Sequence, residues 1–167
     1  MKLSLLRHGI AVARESPGYD DDSQRPLTAK GERRMRRAAK GMLALDLAYD
    51  LILSSPYVRA RQTADIVAQA LKMPGKTHLS ANLAPDGNPR RLIEELRAVD
   101  RVPQAVMLVG HEPYLSSLIS TLLTGSPNLP VVMKKGGLCT LDVDTLRFSR
   151  CARFAWLLTP RQLRRLG

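Results

Sequence analysis

Apolar and polar positions along the chain follow two periods, and the two alternate. Short, mostly apolar runs at residues 3–6, 51–53 and 104–109 have the length of buried strands, and 77–79 is a weaker strand candidate. Between them apolar residues recur at helical spacing: Met35, Ala38, Ala39 and Met42, then Ala60, Ala64, Val67, Ala68 and Leu71. Leu92, Ile93 and Leu96, and then Leu115, Leu118, Ile119 and Leu122, repeat the pattern. Each helix carries a start signal: Thr28, Ser55 with Pro56 at the first helical position, Asn88 with Pro89, and Pro113. Gly125-Ser126-Pro127 ends the fourth. Residues 138–143 and 153–158 read as two strands joined by a short polar turn, and Thr159-Pro160 caps a brief terminal helix. Strands alternating with helices and closed by a hairpin predict an α/β sandwich with a mostly parallel sheet. No repeat or low-complexity linker interrupts the pattern, so residues 1–167 are expected to form a single domain.

That architecture directs attention to the carboxyl ends of the strands, where open α/β sheets bind ligands. Arg7-His8-Gly9 follows the first strand, Ser54-Ser55-Pro56-Tyr57-Val58-Arg59 follows the second, and Val109-Gly110-His111-Glu112-Pro113 follows the third. The polar, breaker-rich stretch at residues 18–26 reads as a loop lying over the same end. A phosphoryl group needs several fixed donors around one nucleophile, because charge on its oxygens must be held while the attacking and leaving atoms stay in line. His8 supplies an imidazole that can attack phosphorus, and Arg7 and Arg59 supply forked donors matched to phosphate oxygens. Arg61 is the rival for Arg59, since a two-residue step on a helix lets only one of the two face the crevice. His8, His78 and His111 are the only histidines and no paired carboxylate cluster accompanies them, a pattern that does not point to a metal site.

Taken in order, these three constellations resemble the histidine phosphatase superfamily, the phosphoglycerate-mutase-like enzymes. The resemblance spans nearly the whole chain. It implies a three-layer α/β/α sandwich with a mostly parallel central sheet and no cofactor. It assigns His8 as the nucleophile that becomes phosphorylated, with Arg7, Arg59 and His111 completing the phosphate pocket. The short chain, Arg25-Pro26-Leu27-Thr28-Ala29-Lys30-Gly31 and Leu83-Ala84-Pro85-Asp86-Gly87 look like the bacterial SixA-type branch, which acts on phosphorylated histidine in signalling proteins. That branch usually has asparagine where Glu112 stands.

Many members of the superfamily protonate an alkoxide leaving group with a carboxylic acid carried after the middle strands. Asp86 is the first candidate for that acid and Glu112 the second, each with a competing structural role, as a turn residue and at a helix amino terminus respectively. An imidazole leaves more easily than an alkoxide, so a phosphohistidine substrate is compatible with a weak or absent acid.

Composition narrows the rest. The 167 residues are 44% hydrophobic, with no apolar run of membrane-spanning length. The absence of a signal-like leader gives cytoplasmic location as the expectation. Two cysteines, Cys139 and Cys151, are too few for a disulfide framework and read as buried, reduced thiols. A net charge of +11 would draw acidic proteins, nucleic acid or phosphorylated ligands, while the run Arg33, Arg34, Arg36, Arg37 and Lys40 reads as a solvated helix face. The expected partner is a phosphorylated protein, such as a histidine-containing phosphotransfer domain, with no specific nucleic acid and no membrane. The alternatives are a small phosphate ester as substrate, or a non-catalytic module that only recognises phosphate. Oligomeric state is not legible.

Overall fold

In the computed structural model, which describes residues 1–73, 75–99 and 103–167, the chain runs β1 (Lys2–Arg7), α1 (Ala29–Ala44), β2 (Leu51–Ser54), α2 (Val58–Ala70), β3 (Thr77–Leu79), α3 (Pro89–Arg97), β4 (Ala105–Gly110), α4 (Tyr114–Thr124), β5 (Leu138–Val143), β6 (Ala152–Leu158) and α5 (Pro160–Leu166). The strands form one six-stranded sheet in the order β3-β2-β4-β1-β5-β6. Strands β3, β2, β4 and β1 are mutually parallel, and β5 runs antiparallel to both β1 and β6. This is the α/β sandwich that the alternating periods predict.

Period-two alternation divides the core between the two faces of the sheet. Leu6, Ile52, Met107 and Val109 face the side covered by α1, α2 and α5, together with Met35, Ala39, Ala64 and Leu163. Leu3, Leu5, Val106 and Leu108 face the other side, against Leu92 and Ile93 of α3 and Leu115 and Leu118 of α4. A buried hydroxyl cluster sits within this apolar setting: Ser4 Oγ lies 2.8 Å from Thr140 Oγ1, and Tyr49 donates to Ser4 Oγ at 3.1 Å. Burial pushes the Tyr49 phenol up to about 12, so it remains a neutral donor.

Local chemistry explains most element ends. Thr28 Oγ1 accepts from Gly31 N at 2.9 Å to cap α1. Thr159 and Gln162 form a reciprocal capping box on α5, with Pro160 in the first turn. Two expectations change. Helix α2 begins at Val58 with Tyr57 at its cap position and no side-chain cap bond, so Ser55 and Pro56 lie in the bend ahead of it. The Ser55 hydroxyl is engaged by His111 instead. Cys139 is buried, and burial pushes its thiol up to about 12, whereas Cys151 is only half-buried just ahead of β6. Both thiols are free.

The parallel register positions the site. Arg7 of β1 pairs with Gly110 of β4, and Ser54 of β2 pairs with Val109 of β4. Three neighbouring strands therefore end level, and the residues that follow them share one crevice. The loop expected at residues 18–26 contains a single 3-10 turn, Asp22–Gln24, and reaches that crevice through Asp22.

Candidate active site

His8 is the first residue beyond β1 and is 7% exposed. Its Nδ1 lies 2.7 Å from the carbonyl oxygen of Gly9. A carbonyl can only accept, so Nδ1 carries the proton and Nε2 keeps its lone pair. Burial, then the charge of His111, followed by Arg59 and Arg7, lowers the His8 pKa to about 3, against a smaller opposing effect of the Gly9 bond. The ring is neutral at physiological pH.

The backbone around His8 is closely fitted. A Cβ on Gly9 would stand 2.6 Å from Met35 Cγ, so any larger residue here would have to displace the Met35 side chain of α1. On the other side Gly136, at φ +81°, donates its N–H to the carbonyls of both Arg7 (3.0 Å) and His8 (3.1 Å). The segment that precedes β5 is thereby fastened beneath the end of β1.

Arg7 donates from one terminal nitrogen to the Met133 carbonyl at 2.7 Å. Arg59, in the first turn of α2, is 3% exposed. It donates one terminal nitrogen to the Asp22 carbonyl at 2.6 Å and the other to Asp22 Oδ2 at 2.8 Å, with its guanidinium carbon 5.0 Å from the centre of the Tyr57 ring. Desolvation lowers the pKa of both arginines, and the Asp22 contacts partly offset it at Arg59. The choice between neighbours is also plain: Arg61 is exposed.

His111, the first residue beyond β4, is 2% exposed. Its ring centre lies 5.0 Å from that of His8 and 5.1 Å from that of Tyr57. Its Nε2 is 2.8 Å from Ser55 Oγ, which also accepts from Tyr57 N at 3.3 Å. Burial, followed by Arg59, lowers the His111 pKa to about 3, while Asp22 opposes. Among the described residues four buried side-chain polar atoms lack a partner. Three of them are Arg7 Nε, Arg59 Nε and His111 Nδ1, all in this crevice, and the fourth is the Tyr114 hydroxyl. Native interiors rarely leave such atoms unpaired, and here they converge on one place.

The two candidate acids separate. Glu112 accepts from Ser116 N at 3.0 Å, which ties its carboxylate to the first turn of α4, although its charge reaches Arg7. Asp86 is exposed in the turn before α3, and its charge reaches Tyr57, the ring that leans on His111. Neither has a side-chain bond to His8.

Asp22 went unidentified at the sequence level. Besides holding Arg59, it accepts from Arg25 Nε at 2.9 Å and from a terminal nitrogen at 2.6 Å. Arg25 is itself fixed by the Val12 carbonyl at 2.5 Å. Desolvation alone would raise the Asp22 pKa, but the bonds from Arg25 and Arg59 hold it well below the usual carboxylate range. The only available signal was the loop itself, three consecutive aspartates followed by Arg25, lying over a site rich in cations.

The profile of the histidine phosphatase superfamily (branch 1) matches residues 3–83, a span that includes His8 and Arg59. An uncharacterised protein of Picosynechococcus is 37% identical over 88% of this chain and 88% of its own. The phosphohistidine phosphatase SixA of Escherichia coli is 26% identical over 98% of this chain and 97% of its own. A solved structure of the protein histidine phosphatase SixA with tungstate superposes with a TM-score of 0.82 at 27% identity, covering 98% of this chain and 99% of that one. The strand-end crevice and these likenesses agree: the chain belongs to the histidine phosphatase superfamily, with SixA-type proteins among its relatives, and is a phosphatase.

Proposed function

We propose that the protein hydrolyses phosphohistidine on a signalling protein, through a covalent intermediate on His8 and without a metal ion. The observation that carries this reading is the convergence of three unpartnered buried nitrogens, Arg7 Nε, Arg59 Nε and His111 Nδ1, beside a neutral imidazole. Each is a donor awaiting an oxyanion. That a SixA structure is complexed with tungstate, an oxyanion, supports an oxyanion as the ligand.

The reaction follows from the bonding. His8 Nε2 directs its lone pair at phosphorus, and the bond between phosphorus and the substrate's imidazole nitrogen breaks, its electrons leaving with that ring. Arg7 and Arg59 hold charge on the phosphoryl oxygens. In this reading the Ser55 hydroxyl donates a hydrogen bond to His111 Nε2, which leaves the ring proton on Nδ1 as a third donor. Water then attacks phosphorus, the bond to His8 breaks, and inorganic phosphate departs with His8 regenerated. Arginine and histidine supply the charge stabilisation, and among the described residues no group of three or more His, Cys, Asp or Glu side chains is arranged to hold a metal.

Asp86 favours a second reading, a phosphomonoesterase for a small metabolite, because its charge already reaches the Tyr57 side of the crevice. Turnover of a phosphohistidine protein, a phosphoserine peptide and an aryl phosphate, measured side by side, separates the two. A kcat/KM highest for phosphohistidine and unaffected by chelator supports the proposal. Preference for the esters, with Asp86→Asn cutting alkyl-ester turnover by about a hundredfold, would transfer the assignment to the second reading. Phosphate binding without turnover would indicate a recognition module.

A further inference from the structure

Beside the catalytic crevice lies a second cleft that the reaction does not use. It has a volume of about 170 Å³ and is lined by Gly9, by Arg34 of α1, by Lys134 and Lys135 of the segment before β5, and by Arg161 and Arg164 of α5. Four of these cations are exposed and Arg164 is half-buried. Among the described residues none of the five has a carboxylate within 4.0 Å, and the ion pair nearest in sequence, Arg36 with Glu32 at 3.9 Å, is made by residues outside the cleft. Helices α1 and α5 are packed together, and the Arg164 carbonyl accepts from Arg37 at 3.4 Å. Like charges are thus held close without neutralisation. Burial, then Arg34, Arg37 and Arg161, lowers the Arg164 pKa accordingly.

The cleft is also joined to the catalytic residues by backbone. Lys134 and Lys135 lie between Met133, whose carbonyl holds Arg7, and Gly136, whose N–H holds the carbonyls of Arg7 and His8. Gly9, which follows the nucleophile, forms part of its wall. The cations therefore stand next to the site at which a macromolecule would present a phosphorylated side chain to His8.

We propose that this face docks the acidic surface flanking the phosphorylated residue of a protein substrate. The proposal rests on the reading that the substrate is a phosphoprotein, and it adds that its recognition is electrostatic and local. Free unpaired cations attract by long-range charge, and several exposed pairs of modest strength add up to roughly tenfold in kcat/KM, lost on screening. A protein surface is favoured over nucleic acid because the cleft is a compact space of about 170 Å³ that shares Gly9, the neighbour of His8, in its wall.

The test uses two peptides phosphorylated on histidine with phosphoramidate, identical except for flanks of four aspartate and glutamate residues or four serine and glycine residues. The acidic peptide is expected to have roughly tenfold higher kcat/KM at low salt. Arg34→Glu/Arg161→Glu should abolish that preference while leaving aryl phosphate turnover intact, and about 0.5 M salt should do the same to the wild type. Arg34→Gln/Arg161→Gln should give an intermediate loss and serves if the reversal unfolds the protein. Arg147→Glu/Arg150→Glu, an equal charge change outside the cleft, should retain the preference. Equal rates on both peptides, or a preference that survives Arg34→Glu/Arg161→Glu or vanishes in Arg147→Glu/Arg150→Glu, would overturn the proposal. If neither peptide reacts but a phosphoserine peptide does, the phosphohistidine reading fails, and the same flank comparison on phosphoserine decides the docking face. Binding of fluorescent duplex DNA that is lost in Arg34→Glu/Arg161→Glu, without any flank preference, would give the face to nucleic acid and reject the proposal.

Discussion

The two arginines of the proposed phosphate pocket are held in different ways. Arg7 ends a central strand and is steadied by a neutral carbonyl, that of Met133. Arg59 begins a helix and is held by a carboxylate and a carbonyl, both from Asp22 on a surface loop. Each leaves its Nε unpartnered for the ligand. The Arg7 wall is therefore fixed by the sheet register, whereas the Arg59 wall depends on an ion-pair network through Asp22 and Arg25 that pH and mutation can reach. The difference teaches that one crevice can combine a wall set by the fold with a wall set by charge.

The largest effect belongs to neither wall. His8→Ala should abolish turnover, by roughly 10⁴-fold or more, with the fold retained by circular dichroism, because it removes the proposed nucleophile. Substantial activity in a verified preparation would end the comparison by removing its premise. Next, Arg7→Ala and Arg59→Ala should each lower kcat by about 10²- to 10³-fold, the range for losing one donor to a developing oxyanion. Unequal losses of more than about tenfold would show that one wall carries most of the charge.

Stability should report the dehydrated histidines. An unfolded chain protonates His8 and His111 below about 6.5, whereas the folded chain resists until about 3. Unfolding thus takes up protons in that window, and stability falls as pH drops through it, by up to about 1.4 kcal/mol per pH unit for each histidine. Asp22 acts in the same direction lower down. Its folded pKa is depressed, so its contribution is present above the usual carboxylate pKa and is lost as pH falls below it. Urea unfolding at pH 7.5 and 5.0 measures the histidine part, and His8→Gln/His111→Gln should flatten it.

A smaller effect separates the walls directly. Asp22→Ala should reduce kcat by about tenfold by releasing Arg59, and should have almost no further effect in an Arg59→Ala background while remaining additive with Arg7→Ala. Additivity with both would mean that Asp22 does not act through Arg59. Arg61→Ala, two residues from Arg59 but exposed, should change kcat/KM by less than about twofold.

The same contrast explains how much of the molecule was legible in its sequence. Strand ends that carry Arg7, His8 and His111 follow from apolar runs that stop at glycine, and Arg59 follows from its place in a helix whose stripe is Ala60, Ala64 and Val67. Those are local patterns. Asp22 was hidden because three adjacent aspartates share one loop, and which of them turns inward is decided by a 3-10 turn that Asp21 caps, accepting from Ser23 N at 2.8 Å. Ser55 read as a helix cap because propensity cannot see a partner 56 residues away in His111. The pairing of Ser4 with Tyr49 and Thr140 escaped for the same reason: tertiary hydrogen bonds have no period.

The account's central claim is that His8 carries the phosphoryl group between two arginines held in these two ways. Rapid quenching of the wild type during turnover, followed by peptide mass spectrometry under alkaline conditions that preserve phosphoramidates, tests it most directly. The account predicts phosphate on the peptide containing His8, at Nε2, formed and lost at rates matching turnover and absent in His8→Ala. Phosphate on His111, or turnover with no phosphoenzyme at quench times that resolve a single cycle, would contradict it.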